Sequence, residues 1–443
     1  MSRGKGHLEP FIIAVFWIAL DIALMAPLLV TLSREFGITF RWTAWVIALY
    51  LAVFSFSLPL AERWAWRING RLLFSISLLL LVIGSIVGAI APEWLLLLAG
   101  RTLQALGAGG VVSFLSQGLR QTRKPMLVRM TGGLLSGLLI VAPLLSVFLN
   151  RLWGWRGVFA AFLPLIFLLF LIGRRFSASF PSRLPRMELG SAFFFFGSVL
   201  FAMVAVTRMG PVAGWNEILH PTVFPFWILS LGLIVPLIMV EKRVDHPLFI
   251  PKPSNRIFIS VQLAAAISGM CLIVAAIIPG WIASFFPDMP EMGGIGLAAA
   301  VAAIRGVLPL AGWLSDRWGS RIVLAVGFFS LSLASFILGV TRDYAELFSA
   351  LFLLGAGIGL TLAAPLQDLL FGCLPLRRVR TGLLVLGMYR AAVGALGLLM
   401  ITRLIDERNF QAVEALMMVS ALSLAGAFLA LRLPGCREDR ERL

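Results

Sequence analysis

The chain has 443 residues, is 60% apolar and 13% charged, and has a mean hydropathy of +0.97, whereas a soluble domain carries about a quarter charged residues. Water cannot be its main solvent. A net charge of +16 raises nucleic-acid binding as a function, but the basic residues are spaced between long apolar runs in the asymmetry of a membrane protein, which excludes nucleic acid as a partner.

Read in chain order, hydrophobic runs against charged punctuation predict fourteen membrane helices near residues 11–33, 43–61, 72–91, 94–118, 129–149, 157–173, 189–208, 221–240, 257–285, 294–314, 322–341, 344–367, 381–401 and 412–432. At about 1.5 Å rise per residue these runs are long enough to cross a roughly 30 Å hydrocarbon core. The first follows Arg3 and Lys5 as a signal peptide would, but it is too long for a cleavable core. With the N-terminus inside, most of the 37 Lys and Arg fall on cytoplasmic segments, among them Arg120, Arg123, Lys124 and Arg129, then Arg174, Arg175, Arg183 and Arg186, then Arg377, Arg378 and Arg380. The expected setting is a bacterial inner membrane, multi-pass, with both termini cytoplasmic and no soluble domain.

Cys271, Cys373 and Cys436 are too far apart for a disulfide framework or zinc spacing, and His7, His220 and His246 are equally scattered. No metal, no cofactor and no catalytic residue are therefore expected. An ATP-driven pump is disfavoured because no G-x-x-x-x-G-K-[ST] loop is present.

A weak internal repeat organises the helices. TGGLLSG at 131–137 recurs as TGLLVLG at 381–387, and at the same offset of 250 Gly107 matches Gly357 and Gly109 matches Gly359. This predicts an all-α membrane protein of two six-helix bundles, residues 1–175 and 251–443, with an inserted helix pair and its flanking loops at 176–250. An even offset in helix number makes the repeats parallel, related by an axis along the membrane normal.

The sharpest motif is GWLSDRWGSR at 312–321, between the tenth and eleventh predicted helices. Gly312 permits close helix approach, Asp316 can accept bonds from basic groups or a helix N-terminus, and Arg317 and Arg321, beside Gly319, can latch neighbouring helix ends. The equivalent place in the first half reads LPLAERWAWRINGR at 58–71, where Glu62, Arg63 and Arg71 stand in a degenerate version. These loops resemble the signature of the major facilitator superfamily. LDIALMAPLL at 20–29, WVIALYL at 45–51, RTLQALGAG at 101–109, WGWRGVF at 153–159 and MYRAAVGALG at 388–397 resemble the fourteen-helix drug:proton antiporter family over almost the whole chain. The resemblance implies a major-facilitator fold and secondary transport. In the fifth predicted helix, GLLIVAPLLS at 137–146 keeps Gly137 and Pro143 as a bend but has Ala142 and Ser146 where that family has glycines.

Ionisable groups at membrane depth are functional candidates by default. Asp21 falls near the middle of the first predicted helix and is the proton-coupling candidate. Arg101 lies about 10 Å below the outer face, with Gln104 one turn on; it is either part of a relay or an arginine snorkelling to the headgroups. Arg305 and Arg390 lie about 15 Å from the inner face, too deep to snorkel easily. Three such arginines lining one cavity with Asp21 would favour an anionic or zwitterionic substrate. Trp17 and Tyr50 are weaker candidates for substrate contact, and the run Phe193 to Phe196 is expected to face lipid or the membrane interface rather than a binding surface.

The expected function is proton-coupled efflux of a small amphipathic molecule by alternating access, with small molecule, protons and bilayer as partners and a monomer as the unit. Uniport or proton symport of an anionic or zwitterionic solute is the alternative, and a membrane-embedded enzyme or sensor is disfavoured.

Overall fold

The computed structural model describes residues 23–64, 68, 70–121, 141–160, 163, 166–167, 189–210, 215–244, 248–249, 256–285, 291–341, 343–362, 364–373, 376–405 and 412–433. Asp21, Trp17 and Gly137 lie outside them, as do large parts of the first, fifth and sixth predicted helices. Among the described residues eleven helices are long and apolar enough to cross a membrane. They fall on the eleven remaining predicted runs.

The helices include α1 (Leu29–Phe36), α2 (Trp45–Trp64), α3 (Gly70–Ile90), α4 (Trp94–Gln121), α5 (Leu189–Arg208), α6 (Phe224–Arg243), α7 (Arg256–Leu272), α8 (Ile278–Phe285), α9 (Glu291–Trp318), α10 (Ser320–Val340), α11 (Tyr344–Leu362), α12 (Leu376–Arg403) and α13 (Val413–Leu431), with further helical segments at Phe40–Thr43, Trp215–Ile218 and Ala364–Cys373. A further helical stretch covers 141–160, interrupted by Gly154 at φ 68°, a left-handed conformation that glycine adopts readily. That residue falls where the sequence predicts the turn between its fifth and sixth helices. Consecutive long helices run antiparallel, so the bundle has two ends, called below the Arg41 end and the Asp316 end.

Several features recur at the 250-residue offset. α3 spans Gly70–Ile90 and α10 spans Ser320–Val340. α4 starts at Trp94 and α11 at Tyr344. A 3-10 turn at Ala26–Leu28, containing Pro27, breaks the chain ahead of α1, and a second at Ile273–Ala276 separates α7 from α8. The two turns touch each other.

Glycines set the closest packing, also in pairs. A methyl group on Gly107 would collide with the Ser77 carbonyl and with Leu81 of α3, and one on Gly357 with the Gly327 carbonyl and Leu331 of α10. Gly109 lies against Ser57 of α2, and Gly359 against Ile304 and Val307 of α9. Ser77, Leu81 and Ser57 plus 250 give Gly327, Leu331 and Val307, so the same helix faces meet in the same register. Between apolar helices such small residues let dispersion contacts form where no hydrophobic effect operates.

The N- and C-terminal sets meet along two seams. α2 and α12 run antiparallel, with Leu58 beside Gly387 and Leu51 beside Gly394. Near the Arg41 end of α9, Gly294 packs against Pro143, Leu144 and Val147. α5 and α6 pair with each other, and α5 lies over the α2–α12 seam. The phenylalanine run does not all face outward as expected. Phe193 is 61% exposed, but Phe196 stacks on Phe56 of α2 and Phe195 packs edge-on against Tyr389 of α12.

Candidate functional site

Arg101 is fully buried. It points into the N-terminal helices, so the snorkelling alternative does not describe it. Its Nε donates to the Val46 carbonyl of α2 at 3.1 Å and its NH1 to Gln104 Oε1 at 2.7 Å. The guanidinium carbon stands 4.4 Å from the centre of the Tyr50 ring. Gln104 Nε2 in turn donates to Ser85 Oγ of α3 at 2.9 Å. The spacing of Arg101 and Gln104 puts both side chains on one helix face. The result is one polar chain through α2, α4 and α3, with a cation on the π-face of a buried tyrosine.

Arg390 is held similarly in the C-terminal set: its Nε donates to Ser268 Oγ of α7 at 3.2 Å and its NH1 to the Leu362 carbonyl of α11 at 3.1 Å. The α7–α12 approach that allows this is close enough that a methyl group on Gly269 would strike the Arg390 main chain. Arg305 sits midway along α9, partly exposed. No hydrogen bond or ion pair joins it to another described residue. The structure therefore does not gather Arg101, Arg305 and Arg390 into one cluster of contacts, and the position of Asp21 lies outside the described residues.

Pro143 is buried in the 141–160 stretch, and the nearby departures from glycine have a packing role. Ala142 and Ser146 are fully buried, and Ser146 Oγ donates to the Leu24 carbonyl at 2.6 Å. Leu24 precedes the 3-10 turn, where N–H groups reach back three residues rather than four, so its carbonyl needs another donor.

At the Asp316 end the structure alters the predicted boundary. α9 continues to Trp318, so Asp316 and Arg317, like Gly312 within the predicted span, are helical rather than in a loop, and the link to α10 is Gly319 alone, at φ 88°. Asp316 and Arg317 are exposed, and Arg317 lies over the Trp313 ring at 5.4 Å. Arg321 is partly buried in the first turn of α10, and neither it nor Asp316 makes an ion pair with another described residue. In the degenerate counterpart, Glu62 and Arg63 also belong to a helix, α2, and Arg71 is exposed in the first turn of α3. The sequence reading missed Asp368, which accepts a bond from Ser320 Oγ at 3.3 Å and faces Asp316 closely enough to repel it. Its place near a helix N-terminus suits a carboxylate.

Two further arginines went unremarked in the sequence. Arg41 NH1 donates to the Met209 carbonyl at 2.6 Å, and Arg403 Nε to the Gly210 carbonyl. Glu217 Oε2 accepts from the Gly210 N–H at 2.8 Å, and Trp45 Nε1 donates to Thr207 Oγ1 at 2.9 Å. The turn after α5 is thus tied to α2 on one side and α12 on the other. Their positions at helix ends are visible in the sequence, but the acceptors are main-chain atoms and carry no residue-type signal.

These features define a polytopic helical membrane protein built from repeated helix sets, with arginines buried among its apolar helices. The profile of the Major Facilitator Superfamily matches residues 11–398, and the chain belongs to that family of membrane transporters. It is 27% identical over 383 residues to the uncharacterized MFS-type transporter YfiU of Bacillus subtilis, covering 82% of this chain and 73% of that one. It is 26% identical over 406 residues to the multidrug resistance protein Stp of Mycobacterium tuberculosis, covering 87% and 73%. Among solved structures, the peptide transporter POT in complex with sulfate shares the fold with a TM-score of 0.70 at 16% identity, over 98% of this chain and 94% of the other.

Proposed function

We propose that this chain is an alternating-access exporter that exchanges a small amphipathic molecule for protons. Two six-helix bundles, 1–175 and 251–443, rock about the membrane midplane, and the pair within 176–250 spans their seam. The recurrence of helix boundaries and glycine contacts at one offset supports this division. The multidrug-resistance name of a relative such as Stp supports efflux. The positive-inside pattern puts the Arg41 end outside and the Asp316 end in the cytoplasm.

The observation that carries the reading is the asymmetry between the two ends. The Arg41 end is tied through Met209 and Gly210, while Asp316 makes no ion pair among the described residues. That combination fits an inward-facing state, in which Asp316, Arg317 and Arg321 clasp only after the bundles rock. Asp21 takes and releases the coupled proton, the Arg101–Gln104–Ser85 chain serves as the relay, and Gly137 and Pro143 are the bend of the fifth helix. A second reading, uniport or proton symport, is favoured by Ala142 and Ser146 standing where the resembling antiporters have glycine.

Proteoliposomes distinguish the readings. Export against a concentration gradient, driven by an inward proton gradient and reduced at least tenfold by Asp21→Asn, is expected. A rate indifferent to the imposed gradient rejects proton coupling, and unchanged gradient-driven export by the variant rejects Asp21.

A further inference from the structure

Arg305 lies at the centre of α9, Glu291–Trp318. At about 100° per residue, the eleven residues from Gly294 to Arg305 return the side chain to within about 20° of the same direction. Gly294 faces Pro143, Leu144 and Val147 across the seam between the two helix sets. Arg305 therefore projects toward the same side of α9, about three turns or roughly 16 Å deeper. It is partly exposed there, and the neighbouring Gly306 has nothing within 4 Å of where a Cβ would stand. A guanidinium at this depth is too costly to face hydrocarbon, so the space beside it is aqueous or filled by a polar guest.

Among the described residues no carboxylate pairs with this charge. Neither Arg305 nor Arg390 makes an ion pair with another described residue, and the two supply positive charge to the same helix set at similar depth. Arg390 is buried and bonds to Ser268 and the Leu362 carbonyl, so of these two Arg305 is the more accessible cation.

We propose that Arg305 is a specificity-determining residue that binds the acidic head group, carboxylate or sulfonate, of an amphipathic substrate whose apolar body lies in the seam between the helix sets. The inference rests on the exporter reading and narrows its substrate class. A planar guanidinium fits a carboxylate or sulfonate through paired N–H donors, which an ammonium does not reproduce.

A matched pair of probes tests this with the full chain: anilinonaphthalene sulfonate, an amphipathic anion, and phenylnaphthylamine, which has the same aromatic body without the charge. Binding to purified protein and movement across proteoliposomes are both measured. The wild-type protein is expected to bind the sulfonate at least tenfold more tightly than the neutral probe. Arg305→Gln should reduce sulfonate binding about tenfold or more, as expected for losing a charge-assisted hydrogen bond, and change the neutral probe less than twofold. Arg305→Lys should recover part of the loss, which separates the charge from the fold.

Wild-type preference for the neutral probe, or sulfonate binding unchanged in Arg305→Gln, overturns the proposal. An equal loss of both probes in Arg305→Gln and Arg305→Lys also overturns it, since that marks a structural role. Neutral-probe transport without anion preference leaves the exporter reading standing while the anion site fails. Anion binding without transport of either probe has the opposite consequence.

Discussion

A guanidinium removed from water keeps its charge only if the protein replaces its hydration, and among the described residues Arg101 meets the Val46 carbonyl, the Gln104 amide and the Tyr50 ring. Arg101→Lys keeps the charge but loses the planar fork, and transport is expected to fall at least tenfold in proteoliposomes while the helical signal in circular dichroism is retained. The i, i+3 spacing to Gln104 made their partnership legible in the sequence. The direction of the side chain was not, because it depends on α2 lying across α4. Glycine positions divide in the same manner. Gly107→Ala should cost about 1–3 kcal/mol by thermal unfolding, because the new methyl meets a backbone carbonyl that cannot move aside. Gly232→Ala should be neutral within about 0.5 kcal/mol, since nothing lies within 4 Å of its Cβ position. Ser146→Ala removes the donor to Leu24 and should cost about 0.6–2 kcal/mol, the range for hydrogen bonds between membrane helices.

At the scale of elements, hydropathy located each long helix among the described residues because the bilayer fixes both length and composition. It placed the tenth predicted helix at 294–314, short of the observed Trp318, because Asp316 and Arg317 look like loop residues to a hydropathy reading, although Arg317 suits the last turn of a helix. The same reading assigned the phenylalanines of α5 to lipid, since an apolar ring has the same sequence signature whether it meets an acyl chain or Phe56 and Tyr389. Their contacts hold α5 over the seam, so α5 and its following turn act as a strap on α2 and α12. Arg41→Ala combined with Arg403→Ala should loosen it. In a cysteine-less background carrying Gly294→Cys, labelling by a membrane-impermeant maleimide is expected to accelerate several-fold. An unchanged rate would show that the strap does not limit opening at this end.

For the whole molecule, the offset of 250 was readable from only a few glycines, yet it also describes the ends of α3 and α10, the starts of α4 and α11 and the packing partners of those glycines. Apolar positions drift freely among Leu, Ile, Val and Phe, which erases the repeat from the sequence. Glycines at main-chain contacts cannot drift, and so they preserve it. Because equivalent contacts occur in both sets, Gly357→Ala should destabilise the protein about as much as Gly107→Ala, within about 1 kcal/mol by the same thermal measurement. A much smaller loss at Gly357 would mean that the two sets are unequally packed.

The tie at the Arg41 end has a consequence for how such chains diverge. Its acceptors, the Met209 and Gly210 carbonyls, are present whatever side chains occupy those positions. The stretch between α5 and α6 is therefore free to change composition without weakening the strap. Selection acts instead on two arginines at opposite ends of the chain, and related chains that retain this closure should keep or lose Arg41 and Arg403 together while the turn between them varies.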